Sequence, residues 1–274
     1  MSYCSSLSVV IRTYNSSRTI SQLLSRLRPE SGDEIIIVDS GSTDSTLHIA
    51  HQYSLPFISL KPPFHYSTSL NAGFSKARTP WVVVISSHCI PLSYDLIQLF
   101  HAFIENADAK SVVGYGKVGV VPPKAAHPDV IGNQLAFESG RFFPGGNGLA
   151  IYRRSAWESH PFDEGIDTAE DLEWFLWAIG QGYTAHFIPG ASAIYLNQGS
   201  LAHMFRKGWL EVRRTRALIP YSRRNLSSMV SGLALNYAYY PWLALRLKIP
   251  VSTMFRQCAH SLGAFLAELF PLKP

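Results

Sequence analysis

The chain has 274 residues, of which 47% are apolar and 16% are charged. This composition excludes a disordered protein and provides enough apolar material for a sizeable core. The net charge of +5 is uneven, since residues 201–274 hold 11 Lys or Arg against two Asp or Glu. We expect this basic quarter to contact phosphate groups of a ligand or an anionic membrane, with a solvated basic face as the alternative; without a recognised DNA or RNA motif, nucleic acid is not an expected partner.

Strand and helix signals alternate along the chain. Apolar runs predict strands at Leu7–Arg12, Glu34–Asp39, Phe57–Leu60, Trp81–Ile85, Val112–Val121 and Leu149–Tyr152. Helical spacing predicts helices at about 16–27, 45–53, 68–77, 93–106 and 169–180, followed by three helical segments near 201–218, 226–247 and 253–270. This rhythm predicts an α/β fold with a mostly parallel sheet flanked by helices, and a helical C-terminal extension. We expect a catalytic domain over residues 1–219 and a basic helical tail over residues 220–274.

A carboxylate and a compact polar turn follow the second predicted strand. The run from Glu34 reaches Asp39, and small residues follow at once from Ser40 to Ser45. Ligands of open α/β sheets bind just outside the carboxyl ends of the strands. Asp39 is therefore predicted to lie where a nucleotide binds, because a carboxylate accepts hydrogen bonds from base N–H groups or ribose hydroxyls. A capping or turn carboxylate is the alternative role.

Four motifs in chain order resemble those of glycosyltransferase family two, the inverting nucleotide-sugar transferases of GT-A fold. They are Ser8-Val-Val-Ile-Arg-Thr-Tyr-Asn15, Ile37-Val-Asp-Ser-Gly-Ser-Thr-Asp44, Ser69-Leu-Asn-Ala-Gly73 and Glu170-Asp171. The resemblance covers roughly residues 6 to 215. It implies that the nucleotide is contacted by Thr13, Tyr14, Asn15 and Asp39, with Ser40, Gly41 and Ser42 beside it. Asn71 is a further predicted contact, with a capping or core-anchoring amide as the alternative.

The metal motif of the family is missing. Relatives usually carry Asp-x-Asp after the fourth strand to hold Mg²⁺ or Mn²⁺ on the diphosphate, whereas this chain has Ser86-Ser87-His88 there. Hard divalent cations prefer carboxylate oxygens, so metal dependence is expected to be weak or absent. His88 is the one candidate ligand for Mn²⁺ or a softer ion; it could instead donate a hydrogen bond to phosphate or be a packed structural residue. Arg206, in the basic cluster, is a candidate for the diphosphate.

Two adjacent carboxylates begin the helix predicted at 169–180. The resemblance implies that Asp171 is the general base that takes the proton of the acceptor hydroxyl. On a helical wheel Asp171 flanks the apolar stripe while Glu170 points away from it, so Asp171 is expected to face the cleft. Two carboxylates that merely stabilise the helix dipole are the alternative. Gly146 and Asn147, in a glycine-rich turn, together with Glu170, are expected to line the acceptor or sugar pocket.

The tail and the cysteines bear on localisation. Met229 to Leu245 contains no charged residue and includes Pro241, so a helix lying on or dipping into a membrane is expected, with packing on the catalytic domain as the alternative. Three cysteines without metal spacing and no visible signal peptide indicate the cytoplasm, or the inner face of the cell membrane.

The combined prediction is an inverting hexosyl- or deoxyhexosyltransferase that moves a sugar from a nucleotide-sugar to a hydroxyl of a glycan or lipid-linked acceptor. Synthesis of a cell-envelope polysaccharide would use such an activity. The alternative is a scaffold or binding protein of the same fold that has lost the chemistry, which the serines at the metal motif suggest. A sugar-phosphate nucleotidyltransferase is disfavoured, because no glycine- and lysine-rich phosphate loop follows the first strand.

Overall fold

The computed structural model describes residues 6–119, 146–196, 199–218 and 251–269. The chain divides into two compact units, Met1–Leu196 and Asn197–Pro274. The first unit is built on one eight-stranded mixed sheet with the strand order β3-β2-β1-β4-β7-β6-β8-β5. The strands are β1 (Leu7–Thr13), β2 (Glu34–Asp39), β3 (Phe57–Ser59), β4 (Trp81–Ser86), β5 (Cys89–Pro91), β6 (Ser111–Gly119), β7 (Leu149–Arg153) and β8 (Thr184–Tyr195).

The predicted parallel strands form one half of this sheet. β1 pairs in parallel with β2 and β4, and β2 pairs in parallel with β3. β1 and β4 are buried at every position, which explains why their sequences are nearly unbroken apolar runs. The predicted α/β class with a mostly parallel sheet is therefore confirmed.

The other half contains strands that the sequence did not reveal. β7 runs antiparallel to β4 and to β6, and β8 pairs in parallel with β6 and antiparallel with β5. Neither β5 nor β8 was predicted. β8 carries Pro189 and Gly190 in its middle, and its pairing with β6 shifts register twice, so its pattern reads as a loop.

The helices of the first unit lie near their predicted positions, with shifted ends. α1 begins at Ile20, later than predicted, because the carbonyl of Ser16 first accepts the amides of Thr19 and Ile20 in a turn. α3 begins at Tyr66, earlier than predicted, after the His65 side chain accepts the Thr68 amide. α5 was not predicted. The helices are α1 (Ile20–Arg26), α2 (Thr46–Gln52), α3 (Tyr66–Lys76), α4 (Leu96–Asn106), α5 (Arg154–Ser159) and α6 (Glu170–Gly180).

The strand directions bring several chain segments to one edge of the sheet. The carboxyl ends of β1, β2 and β4 share this edge because the three strands are parallel. β7 starts there because it is antiparallel to β4, with Leu149 opposite Ile85. Residues 146–148, directly before β7, therefore lie beside the ends of β1 and β4.

The second unit contains two described helices, α7 (Leu201–Leu218) and α8 (Val251–Leu269), which pack against each other through glycines. A Cβ atom on Gly208 would lie 2.1 Å from the carbonyl oxygen of His260, and one on Gly263 would lie 2.0 Å from that of Phe205. α7 is thus grouped with the tail and not with the first 196 residues. The predicted segment 226–247 lies outside the described residues. Within the described part of the chain, no helix is long and apolar enough to cross a membrane.

Candidate functional site

Asp39, at the end of β2, is completely buried and organises the loop that follows it. Its Oδ2 accepts the backbone amides of Gly41 (3.1 Å) and Ser42 (2.9 Å). Its Oδ1 accepts the hydroxyls of Thr13 (2.9 Å) and Ser42 (2.5 Å). Four hydrogen bonds occupy the accepting positions of a carboxylate. Asp39 therefore shapes the loop 40–42, and its predicted direct contact with a nucleotide base stays a prediction.

The loop after β1 is joined to the same turn. Asn15 adopts a left-handed backbone conformation with φ of 46°, and its side-chain oxygen accepts the Thr43 amide at 2.8 Å. The Asn15 amide donates to Ser42 Oγ at 2.8 Å. Tyr14, between these anchored residues, is 50% exposed and presents its ring to solvent. The two predicted nucleotide loops therefore form one rigid edge with an accessible aromatic ring.

Ser40 is held at its backbone but has a free hydroxyl. Its amide donates to the carbonyl of Thr13 at 3.0 Å. Its Oγ is buried and has no hydrogen-bond partner within the described part of the chain.

Ser86, Ser87 and His88, at the metal motif, all make protein contacts. Ser86 Oγ accepts a hydrogen bond from Arg12 Nη2 at 3.0 Å, and the hydroxyls of Ser87 and Ser16 are hydrogen-bonded at 2.6 Å. The His88 ring packs edge-on against Tyr195, with 4.6 Å between ring centroids. These residues do not fit a hard divalent cation, because they offer no carboxylate and a guanidinium already lies against Ser86. No group of three His, Cys, Asp or Glu among the described residues could hold a metal ion.

Asn147, in the turn before β7, is bonded through all four of its polar groups. Its backbone N–H donates to Asp171 Oδ2 (3.2 Å), and its carbonyl accepts Arg12 Nη2 (2.7 Å). Its Nδ2 donates to Glu170 Oε1 (3.1 Å), and its Oδ1 accepts the Tyr152 hydroxyl (2.7 Å). The residue is 3% exposed. The side chain that was expected to bind a sugar is thus engaged within the protein.

Glu170 and Asp171 start α6 and take different environments. Glu170 is buried, with Oε1 3.7 Å from Arg12 Nη1, whereas Asp171 is half-buried. The helical-wheel prediction that Glu170 points away from the core is wrong. A wheel considers α6 alone, and the first turn is covered by the turn before β7 and by the end of β1. Asp171 is more exposed than Glu170, as the helical wheel predicted.

Negative charge at this site acts on two buried tyrosines. Burial raises the pKa of the Tyr115 hydroxyl, and the charge of Asp171 raises it further. Burial also raises the pKa of Tyr152, with additional contributions from Tyr115 and Asp171. Both phenols are therefore neutral at pH 7, and the Tyr152 hydroxyl can donate its hydrogen bond to Asn147 Oδ1.

Asn71 lies on α3 and is engaged away from the loops. Its Nδ2 donates to the Phe162 carbonyl and to Glu164 Oε1, both at 2.9 Å. Its Oδ1 accepts Trp157 Nε1 at 3.0 Å and the Phe162 amide at 3.1 Å. These bonds match the core-anchoring alternative, so a contact with a nucleotide would require their replacement.

The described residues thus bring most of the predicted site to one edge of the sheet. Two features were missed: Arg12, which was quoted within a motif without a role, and Tyr152. A cation at the end of an otherwise apolar strand is the sequence signal that could have indicated Arg12. Arg206 lies on α7 in the second unit, and its predicted contact with the diphosphate stays a prediction. The residues that share the edge are Arg12, Thr13, Tyr14, Asn15, Asp39, Ser40, Gly41, Ser42, Ser86, Ser87, Gly146, Asn147, Glu170 and Asp171.

Comparisons with known proteins identify the family and the fold. The profile described as "Glycosyl transferase family 2" matches residues 8–158. Similar solved structures include a mannosyltransferase, PcManGT from Pyrobaculum calidifontis, in complex with GDP-Man and Mn²⁺; it is 16% identical with a TM-score of 0.64, over 99% of this chain and 89% of that chain. Another is TarS of S. aureus in complex with UDP, which is 17% identical with a TM-score of 0.55, over 96% of this chain and 90% of that chain.

A third similar structure is glucosyl-3-phosphoglycerate synthase from Mycobacterium tuberculosis, in complex with Mn²⁺, UDP-glucose and glycerol 3-phosphate. It is 16% identical with a TM-score of 0.58, over 80% of this chain and 82% of that chain. At these identities the likeness establishes a shared fold. No curated protein sequence matches the chain.

Proposed function

The chain belongs to glycosyl transferase family 2, and on that premise we propose that it transfers a sugar from a nucleotide-sugar to an acceptor hydroxyl with inversion at the anomeric carbon. One observation carries the proposal. The two loops expected to hold the nucleotide and the carboxylate expected to act as base lie at the same edge of one sheet, joined through adjacent residues Arg12 and Thr13. An α/β sheet binds ligands at this edge.

The donor side of the site is the rigid pair of loops after β1 and β2. The exposed Tyr14 ring offers a stacking surface for a nucleotide base. Asp39 would act on the nucleotide mainly by fixing the Gly41 and Ser42 amides. Positioning of the donor by pre-formed loops lowers the entropy cost of the reaction.

The base is Asp171. Its carboxylate takes the proton of the acceptor hydroxyl, whose oxygen forms a bond to the anomeric carbon on the face opposite the diphosphate. The bond between that carbon and the diphosphate oxygen breaks, and its electron pair leaves with the nucleoside diphosphate. Glu170 is less suited to this role because it is buried against Arg12 and Asn147. General-base catalysis of this kind typically contributes ~10²–10⁴-fold in rate.

The charge of the leaving diphosphate needs a counter-charge. Two of the similar structures contain Mn²⁺, but the residues at Ser86-Ser87-His88 do not fit such an ion. We therefore assign neutralisation to His88 and to the basic residues of the last quarter of the chain, with Arg206 first among them. A glycan or lipid-linked acceptor at the inner membrane face suits the basic last quarter of the chain.

The test combines donor binding and donor cleavage. A thermal-shift panel of UDP, GDP and dTDP, each with Mn²⁺ or EDTA, reports the base preference and metal need. Release of nucleoside diphosphate from the corresponding sugar nucleotides, with water or an added glycan as acceptor, reports the reaction. We expect stabilisation by at least one nucleotide in EDTA, and slow release from its sugar conjugates.

The base is tested by replacing Asp171→Asn, which should lower release ~10²–10⁴-fold with nucleotide binding retained. The matched control is Asp163→Asn, in the exposed loop before α6, where the carboxylate binds only the Gly165 amide among described contacts. Equal release by wild type and Asp171→Asn would remove the assigned base. Neither binding nor release with any nucleotide would instead favour the inactive scaffold, which the replaced metal motif suggests.

A further inference from the structure

Arg12 and Asn147 connect the donor side of the site to the two carboxylates of α6. They are separated by 135 positions in the sequence and are joined by a 2.7 Å hydrogen bond from Arg12 Nη2 to the Asn147 carbonyl. Neither residue was expected to act on the base. Both are almost fully buried, at 6% and 3% exposure.

Asn147 binds the two carboxylates with two different groups. The backbone N–H donates to Asp171 Oδ2, while the side-chain amide donates to Glu170 Oε1. Exchange of the amide oxygen and nitrogen by rotation of the side chain would break both hydrogen bonds, because Tyr152 donates to the oxygen. A donor on each carboxylate fixes both rotamers, which is the arrangement that holds a reacting group in a productive geometry.

Arg12 supplies the charge that permits this cluster to be buried. Its guanidinium lies 3.7 Å from Glu170, donates to Ser86 Oγ and the Asn147 carbonyl, and stands over the Tyr66 ring at 5.6 Å. An isolated buried carboxylate is strongly unfavourable, and a paired one is tolerated. Among the described residues, the Arg12 Nε and Nη1 atoms have no hydrogen-bond partner, so the link from Nη1 to Glu170 is an ion pair at 3.7 Å.

The backbone before the carboxylates is strained. Ala169, the residue that caps α6, has φ of 66°, in the left-handed region that alanine rarely adopts. Ala169 offers no side-chain cap, and the Asp171 Oδ1 atom accepts the Leu172 amide within the first turn at 2.8 Å. Strained backbone of this kind persists only where surrounding contacts over-determine it, and such sites cluster around functional groups. Asn147 and Arg12 contribute the contacts to Glu170 and Asp171 that come from outside the helix, in addition to the bond from the Glu173 amide to the Ala169 carbonyl.

We infer that Arg12 and Asn147 are positioning residues for the base: Arg12 neutralises Glu170 and holds the Asn147 carbonyl, and Asn147 in turn fixes the Asp171 carboxylate through its backbone amide. This inference rests on the proposed function for its catalytic meaning. Glu170 is then the counter-ion of Arg12 and has no direct contact with substrate. In this interpretation Asn147 positions the base and does not bind a sugar.

The test exchanges the charge between positions 147 and 170. In Asn147→Asp a carboxylate faces Glu170 across the present 3.1 Å contact, which adds one negative charge near Asp171. In Asn147→Asp with Glu170→Gln, the glutamine amide donates to the new carboxylate and the net charge of the cluster returns to its original value. Arg12→Lys is the third variant, since a lysine keeps the charge but cannot bind Ser86 and Asn147 as a fork.

Kinetics are measured as release of nucleoside diphosphate from the sugar nucleotide that the wild type cleaves. We expect Asn147→Asp to lower kcat about 10- to 100-fold while KM for the donor stays within about twofold, because the base is displaced and the donor loops are untouched. Arg12→Lys is also expected to lower kcat. The double variant should recover at least about tenfold over Asn147→Asp, which a merely structural defect would not produce.

A second readout does not depend on activity. Titration of ¹³C-carboxyl aspartate by NMR, with the Asp171 resonance identified by its absence in Asp171→Asn, reports the pKa of the base. Arg12 and Glu170 are linked to it through Asn147, and its charge raises the pKa values of the neighbouring Tyr115 and Tyr152. The added charge in Asn147→Asp should raise the pKa of Asp171 by about one unit, and the double variant should restore it.

The matched controls are Asn106→Asp, at the exposed end of α4, and Arg26→Lys, whose guanidinium lies over Tyr94. Both should leave kcat and the Asp171 titration unchanged. An Asp171 pKa that is the same in wild type, Asn147→Asp and the double variant overturns the inference. So does a double variant that is folded but no faster than Asn147→Asp. If the wild type cleaves no donor, the proposed function fails, and the NMR titration alone decides the inference.

Discussion

Removal of the Asp39 carboxylate is predicted to loosen the nucleotide loops. The side chain is fully buried and accepts four hydrogen bonds, two from backbone amides and two from hydroxyls. In Asp39→Ala all four donors lose their acceptor. In Asp39→Asn the amide group can donate to the Thr13 and Ser42 hydroxyls, which can also accept, while the remaining oxygen accepts the two amides.

The expected magnitudes differ between these two variants. The Gly41 and Ser42 amides are only half-buried and can bind water, and hydroxyls can rotate to other acceptors. We therefore count about two charge-assisted bonds as lost in Asp39→Ala, or about 3–5 kcal/mol of unfolding free energy. Asp39→Asn exchanges charged for neutral bonds and should cost about 1–2 kcal/mol.

The assay is urea unfolding at pH 7, together with calorimetric affinity for the nucleoside diphosphate that stabilises the wild type. Asp108 provides the control, because its carboxylate also accepts two backbone amides and a hydroxyl, from Lys110 and Ser111, but is exposed to solvent. Asp108→Ala should cost clearly less than Asp39→Ala and leave nucleotide affinity unchanged. Equal losses for Asp39→Ala and Asp39→Asn, or unaltered nucleotide affinity in Asp39→Ala, would refute the view that these bonds shape the loop.

Three further predictions concern stability. Burial raises the pKa of Asp44, but hydrogen bonds from Thr46 and Ser17 outweigh this effect and hold the pKa at about 2, below its ordinary value of 3.8. The ionised Asp44 therefore stabilises the fold above about pH 4, and this contribution is lost as the pH falls towards 2. In acid unfolding followed by circular dichroism, Asp44→Asn should lose stability less steeply than the wild type, and identical acid curves would contradict this. Ala169→Gly should stabilise the protein by about 0.5–1 kcal/mol in urea unfolding, because relief of left-handed strain exceeds the added chain entropy, and a destabilised variant would rule the strain out. Gly208→Ala should destabilise the α7–α8 pair by about 1–3 kcal/mol in thermal unfolding, because its Cβ would lie 2.1 Å from a carbonyl oxygen; Gly180→Ala, with nothing within 4 Å, is the control, and equal melting temperatures for the two variants would contradict the close approach.

The parallel half of the sheet could be predicted because its residues carry the signal themselves. β1 and β4 are buried on both faces, so their sequences are continuous apolar runs with little ambiguity. The end of β2 at Asp39 could be predicted for the same reason, since the apolar run stops where the strand leaves the sheet. These features are local and depend on no distant partner.

β8 could not be predicted because its identity depends on its neighbours. Its apolar residues are interrupted by Pro189 and by the small residues Gly190 to Ala193, and Gly190 has φ of 82° in the middle of the strand. The segment becomes a strand because β6 and β5 offer free backbone partners on its two sides. Such pairing is a tertiary fact, and the propensity of the residues does not contain it.

The chemistry of the candidate site was predicted by residue type but not by contact. Asp171 was predicted as the base from its motif and helix position; that role stays a prediction, and the residue lies near the loops after β1 and β2 through Asn147 and Arg12. The orientation of Glu170 was predicted wrongly, and Asn147 was predicted to contact a sugar. Both residues contact Arg12, which is well over a hundred positions away in the sequence. A helical wheel or a turn pattern examines one element at a time, whereas this cluster forms only where β1, β7 and α6 meet.

The bond between Arg12 and Asn147 also constrains how the first unit assembles. A nascent chain that ended after β4 would contain the loops after β1 and β2, but the Arg12 guanidinium, which is buried in the complete protein, would lack its counter-ion Glu170. Such a half-made sheet would have to hydrate that charge and stay open along the β4 border until residues 146–171 arrived. We therefore expect the pairing of Arg12 with residues 147 and 170 and the closure of the sheet to be cooperative, so a destabilised Arg12 variant should release both halves together.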